Sequence, residues 1–239
     1  MNDLHDTEQA DSMLRWGGLA GTSGSILLIL VFGIVAAFVG TDSVSPEESV
    51  MRFPDIRAAR TVENGLYLVV LVLWVIHSLA LYRALRRTSP TPALFGSTLS
   101  IVGLVVLAAG ALPHVATAPI SGLYHAPGAT PQDQATLVLL WQATEGMFDA
   151  LLVTGLVILP MGLIALGAAM LGAPAFGKGI GRASVALGVI GLAAAVALLV
   201  DVSSIGVVGV FALMVFHLVL GWKVHRLSRG PHSPMLSAA

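Results

Sequence analysis

Residues 183–222 read ASVALGVIGLAAAVALLVDVSSIGVVGVFALMVFHLVLGW, two apolar runs (183–200 and 203–222) joined by a very tight turn around Asp201, Ser203 and Ser204. A helix rises about 1.5 Å per residue, so crossing a hydrocarbon core of ~30 Å takes roughly 20 mainly apolar residues. Both runs are close to that length. Four further runs of the same kind lie upstream, at 19–40, 65–85, 94–114 and 147–171. The fourth has an early helical start near Pro131 or Ala135, which makes it too long for one straight span, and Pro160 is its candidate kink. The expected fold is therefore all-α: a polytopic transmembrane bundle of six spans.

Composition agrees with that reading. Of the 239 residues 56% are hydrophobic and 10% charged, with a mean hydropathy of +0.89, whereas an average soluble domain carries about 25% charged residues. The absence of cysteine removes disulfides, thiolate metal sites, iron–sulfur clusters and Cys nucleophiles together. Lys plus Arg (12) nearly balances Asp plus Glu (13), so no basic field exists to attract nucleic acid. The opening MNDLHDTEQADSMLR is acidic and polar, unlike the basic start of a secretory signal, and no cleavage is expected.

Orientation follows from Lys and Arg, which concentrate in short cytoplasmic loops. One side collects Arg15, Arg83, Arg86, Arg87, Lys178, Arg182, Lys223, Arg226 and Arg229; the other holds Arg52, Arg57 and Arg60. Both termini are accordingly expected in the cytoplasm, in keeping with an even number of spans. The expected organisation is a cytoplasmic N-terminal tail (1–18), a single transmembrane domain (19–222) and a cytoplasmic C-terminal tail (223–239). The external segments are then the loop 41–64, of mixed charge and able to carry a short interfacial helix, and the proline-containing loop 115–135, expected to form a lid. Gly17, Gly21 and Ser25 recur every fourth residue, with Gly33 and Ala37 continuing a small-residue face. Such a face serves either internal helix packing or association with another copy.

The stretch 166–181, LGAAMLGAPAFGKGIG, carries a resemblance through Met170, Pro174, Phe176, Gly177 and Gly181. Closing Gly221-Trp222-Lys223 and the Trp141, Glu145, Gly146 pattern extend it. Together they resemble bacterial, often actinobacterial, multi-pass proteins grouped as domain of unknown function 4386, mainly over roughly the C-terminal 100 residues. The resemblance implies a bundle of about six helices in a bacterial plasma membrane. It implies no activity.

Ionisable groups in or beside a span are expensive and mark candidate sites. Gln142, Glu145 and Asp149 share helical spacing at the outer start of the fourth span, His114 closes the third span at its outer end, and His125 lies in the adjoining loop. Two readings stand: a solvated helix start, or a polar ligand pocket sheltered by the outer loops. Imidazole and carboxylate also suit a divalent metal, but no ligand-spacing motif such as HExxH is present. His77 and His217 lie at matching depth, each six residues before a basic border residue, Arg83 and Lys223. Equal depth is a condition for sharing a haem iron; the competing reading is two packing histidines, each satisfied by a neighbouring hydroxyl or carbonyl. No cofactor is the expected state.

No nucleophile elbow, phosphate loop or dinucleotide fingerprint is present, which weighs against an enzyme without closing the question. Three roles remain open: binding or transport of a small ligand or ion through an outward-facing polar site, an accessory subunit without catalysis, and a haem- or metal-dependent oxidoreductase. The expected partners are the lipid bilayer and, if any protein, further copies of the chain or a larger membrane complex.

Overall fold

The computed structural model describes residues 2–40, 44–200 and 206–229, with side chains described from residue 11 onward. The turn expected at Asp201, Ser203 and Ser204 lies outside the described residues. Six helices follow in order: α1 (Asn2–Ile34), which continues as a π-helical turn (Val35–Val39), α2 (Pro46–Leu85), α3 (Pro90–Tyr124), α4 (Pro131–Leu171), α5 (Gly177–Leu199) and α6 (Gly206–Leu227). Each contains a stretch long and apolar enough to cross a membrane. No strand occurs among the described residues.

Sequence neighbours pack side by side, and α1 also packs on α6, so the helices close into a ring; α2, α4 and α6 touch one another across its middle. One continuous core fills that middle, from Leu28 and Leu71 through Leu104, Leu159 and Leu163 to Phe216 and Leu220. Large apolar residues such as Ile29, Val72, Val105, Leu139 and Val189 point outward, as lipid-facing positions do.

Close helix approach is built on glycine, because lipid tails give apolar side chains no reason to prefer one another and tight backbone contact must do the work instead. A Cβ on Gly162 of α4 would lie 2.7 Å from the Ser100 amide of α3. One on Gly221 of α6 would lie 2.6 Å from the Thr22 amide of α1. Gly17 meets Ala80 of α2, Gly21 meets His77, and Ser25 donates to the Met214 carbonyl of α6 at 3.1 Å. The small-residue face of α1 is thus used inside the chain at these three positions, whereas Gly33 has no neighbour and Ala37 is exposed.

Four helices are longer than the apolar runs suggest: α1 already begins at Asn2, and α2, α3 and α4 extend at the other end. α2, of 40 residues, and α4, of 41, are each about 60 Å long, twice the hydrocarbon thickness. The segment 41–64 is therefore mostly helix rather than loop: Ser45 caps α2 by accepting from the Glu48 amide, with Pro46 in the first turn. The segment 115–135 likewise continues α3 to Tyr124, through Pro113 and Pro119. A shorter connection then leads to Thr130, where a capping box with Asp133 starts α4. The extra turns of α2, α3 and α4 converge at one end of the bundle. There they form a second small core of Val50, Phe53, Ile120, Tyr124 and Trp141. Ser121 Oγ donates to the Val50 carbonyl at 3.2 Å, and Gln134 Nε2 to the Tyr124 carbonyl at 3.2 Å, tying the three extensions together.

At the opposite end lie Arg15, Arg83, Arg86, Arg87, Lys178, Arg182, Lys223, Arg226 and Arg229, as the contacts of Gly17 with Ala80, Gly18 with His225 and Gly181 with Leu171 require. Trp16 and Trp222 are exposed at this end, and the Arg226 guanidinium sits 3.9 Å over the Trp222 ring.

Candidate functional site

A cavity of about 40 Å³ opens where the second small core meets the membrane bundle. That is room for about three water-sized groups. Its walls come from three helices at helical spacing. From α2 come Ser49, Arg52, Phe53, Ile56, Arg60 and Asn64, a stripe advancing three or four residues at a time; α3 adds His114 and Thr117, and α4 adds Trp141 and Glu145.

Several polar groups of the lining are satisfied by the protein. The Arg60 guanidinium donates to Glu63 Oε2 at 2.9 Å. His114 Nδ1 donates to Asn64 Oδ1 at 3.2 Å, and its ring stacks on Phe148 with centroids 4.0 Å apart. Thr117 Oγ1 donates to the His114 carbonyl at 2.6 Å. Phe53 meets Trp141 edge to face at 5.4 Å, which fixes the indole. Two donors are left over: Arg52 Nε and Trp141 Nε1 are buried and have no acceptor among the described residues. A buried donor without an acceptor costs about 1–3 kcal/mol, so two of them beside one cavity is a costly arrangement. Arg52 and Glu145 are also free of ion pairs, since Arg60 with Glu63 is the only pair within 4.0 Å among the described residues.

Of the residues singled out from sequence, His114 and Glu145 come together in this cavity. Gln142 and Asp149 are exposed on α4 and do not line it; His125 is exposed at the end of α3, its Nδ1 donating to the Ser121 carbonyl at 2.9 Å. Residues 142, 145 and 149 share a broad helix face, but the stripe turned inward is Trp141, Glu145 and Phe148, which places Asp149 about 100° further round. No group of three or more His, Asp or Glu spaced to hold a metal ion occurs among the described residues. The mixed charge of 41–64 masks Arg52, Arg60 and Asn64 as site residues in the sequence. The signal that reveals them is the Ser45-Pro46-Glu47-Glu48 helix start followed by that three-to-four-residue stripe.

His77 and His217 meet in the middle of the membrane bundle, both fully buried. The His77 Nδ1–H donates to the Gly17 carbonyl at 2.9 Å. The rings stand edge to face with centroids 5.3 Å apart, and Trp74 stacks flat on His217 at 4.1 Å. The two imidazoles are in direct edge-to-face contact in this arrangement. His77 Nε2 and both His217 nitrogens have no partner among the described residues.

Six long apolar helices, a lipid-facing apolar girdle and charged groups gathered at the two ends define a polytopic all-helical membrane protein. Residues 19–230 match the family described as Domain of unknown function (DUF4386), and the chain belongs to that family. The match begins in α1 and so reaches well beyond the C-terminal stretch that carries the resemblance in sequence. No curated protein and no solved structure matches the chain.

Proposed function

We propose that this protein binds a small polar ligand or ion in the cavity between the outer extensions of α2, α3 and α4, as a receptor or as the first station of a transport path. The observation that carries the reading is a cavity lined by Arg52 and Trp141, each of which has a buried donor, Nε and Nε1, without an acceptor among the described residues. Polar groups converging on a concave, partly apolar site are the usual makings of a small-molecule pocket. The nine-to-three distribution of Lys and Arg supports placing both termini in the cytoplasm and the cavity on the outer face. The resemblance to bacterial multi-pass proteins supports the plasma membrane of a bacterium as its location.

The test is thermal unfolding of the purified full chain in detergent, with acetate, glycine and methylammonium titrated separately against sodium chloride controls. A ligand bound only by the native state raises the midpoint saturably. At least one of the three solutes is expected to do so, with the effect of acetate or glycine lost in Arg52→Gln and that of methylammonium lost in Glu145→Gln. No saturable rise with any of them, or a rise unchanged in both variants, contradicts the proposal.

A further inference from the structure

The cavity holds two formal charges of opposite sign that do not meet. Arg52 projects from α2 and Glu145 from α4; both line the same space, and neither forms an ion pair within 4.0 Å among the described residues. The other cationic group of the lining, Arg60, is already held by Glu63. His114 is engaged by Asn64 and by the face of Phe148. Two half-buried charges kept apart on different helices each lose hydration without gaining a partner, an arrangement that a bridging molecule relieves.

The sign pattern narrows what that molecule is. A simple anion would gain Arg52 and the Trp141 N–H but would face the Glu145 carboxylate across a space only a few water diameters wide. A simple cation would gain Glu145 and face Arg52. A molecule with an anionic and a cationic end meets both, and complementary placement of unlike charges is how a site rejects ligands that carry only one of them. Resting on the reading of the cavity as a ligand site, we infer that its ligand is a compact zwitterion, a small amino acid whose carboxylate faces Arg52 and Trp141 and whose ammonium faces Glu145. The volume suits a molecule of glycine's size, which displaces about three waters.

Isothermal titration of the purified full chain with glycine, acetate and methylammonium tests the inference. Glycine is expected to bind about tenfold or more tightly than either singly charged solute, the gain of one further charged hydrogen bond. Glu145→Gln is expected to weaken glycine by about tenfold while leaving acetate binding equal or stronger; Arg52→Gln is expected to remove glycine and acetate binding together. Arg52→Lys, which keeps the charge and loses the Nε donor, is expected to fall between the parent and Arg52→Gln, and the unliganded unfolding midpoint of each variant shows that it is folded. Acetate or methylammonium binding as tightly as glycine, or glycine binding unchanged in Glu145→Gln, overturns the zwitterion while leaving the cavity a ligand site. Absence of binding by all three solutes overturns both.

Discussion

His217 carries two ring nitrogens that are buried without a partner among the described residues, yet its ring is held on three sides: flat against Trp74, and edge to face with His77 and Phe216. Stacking of this kind uses the face of the ring and makes no demand on its nitrogens. Phenylalanine presents a similar face and carries no polar atom to desolvate. His217→Phe is therefore expected to leave the thermal midpoint of the purified protein unchanged or raised. His77 differs, because its Nδ1–H reaches the Gly17 carbonyl and its ring fills the space beside Gly21. His77→Ala is expected to destabilise by about 2 kcal/mol or more, through a lost hydrogen bond and a cavity. A clear fall in the midpoint of His217→Phe would show that the His217 nitrogens matter and would contradict the packing role.

At the scale of elements, α3 and α4 lie so close that Gly162 has the Ser100 amide and the Gly96 carbonyl within 2.7 and 2.8 Å of where a Cβ would stand. These are backbone atoms, which cannot swing aside, so Gly162→Ala is expected to cost about 1–3 kcal/mol by forcing the helices apart. Gly146, on the same helix, has nothing within 4 Å. There Gly146→Ala is expected to be neutral or to stabilise by up to about 1 kcal/mol, since alanine is the better helix former. Thermal unfolding of the two variants side by side checks the contrast, and equal effects would mean that the α3–α4 contact is not made as described. The existence of these helices is legible in the sequence, because apolar runs long enough to span a bilayer identify themselves, and Pro131 marks the start of α4. Their extensions beyond the apolar runs are not legible by the same rule. Counting apolar length is blind to helical period, so the charged stretch 46–64 reads as a loop even though Ser45 and Glu48 announce a capped helix and residues 49, 52, 56, 60 and 64 fall on one face of it. Half of the cavity comes from that face. His114 and Glu145 are legible as expensive polar residues, whereas Arg52, the group that the proposed ligand meets, is not.

For the molecule as a whole, the length of α2, α3 and α4 has one consequence. Helices of 35 to 41 residues cannot fit within a core that about 20 residues cross. The surplus turns gather at the end away from the nine basic residues, where they build their own small apolar core and enclose the cavity. The proposed orientation puts this three-helix extension, cavity included, on the outer side of the membrane. Because the chain has no cysteine, single cysteines report on it without background. Ser49→Cys lies in the cavity wall, Gln132→Cys is exposed at the start of α4, and Thr88→Cys is exposed at the opposite end, between α2 and α3. In intact cells a membrane-impermeant maleimide is expected to label Ser49→Cys and Gln132→Cys and to leave Thr88→Cys unlabelled until the membrane is permeabilised. Labelling of Thr88→Cys alone in intact cells would place the cavity in the cytoplasm and contradict the account.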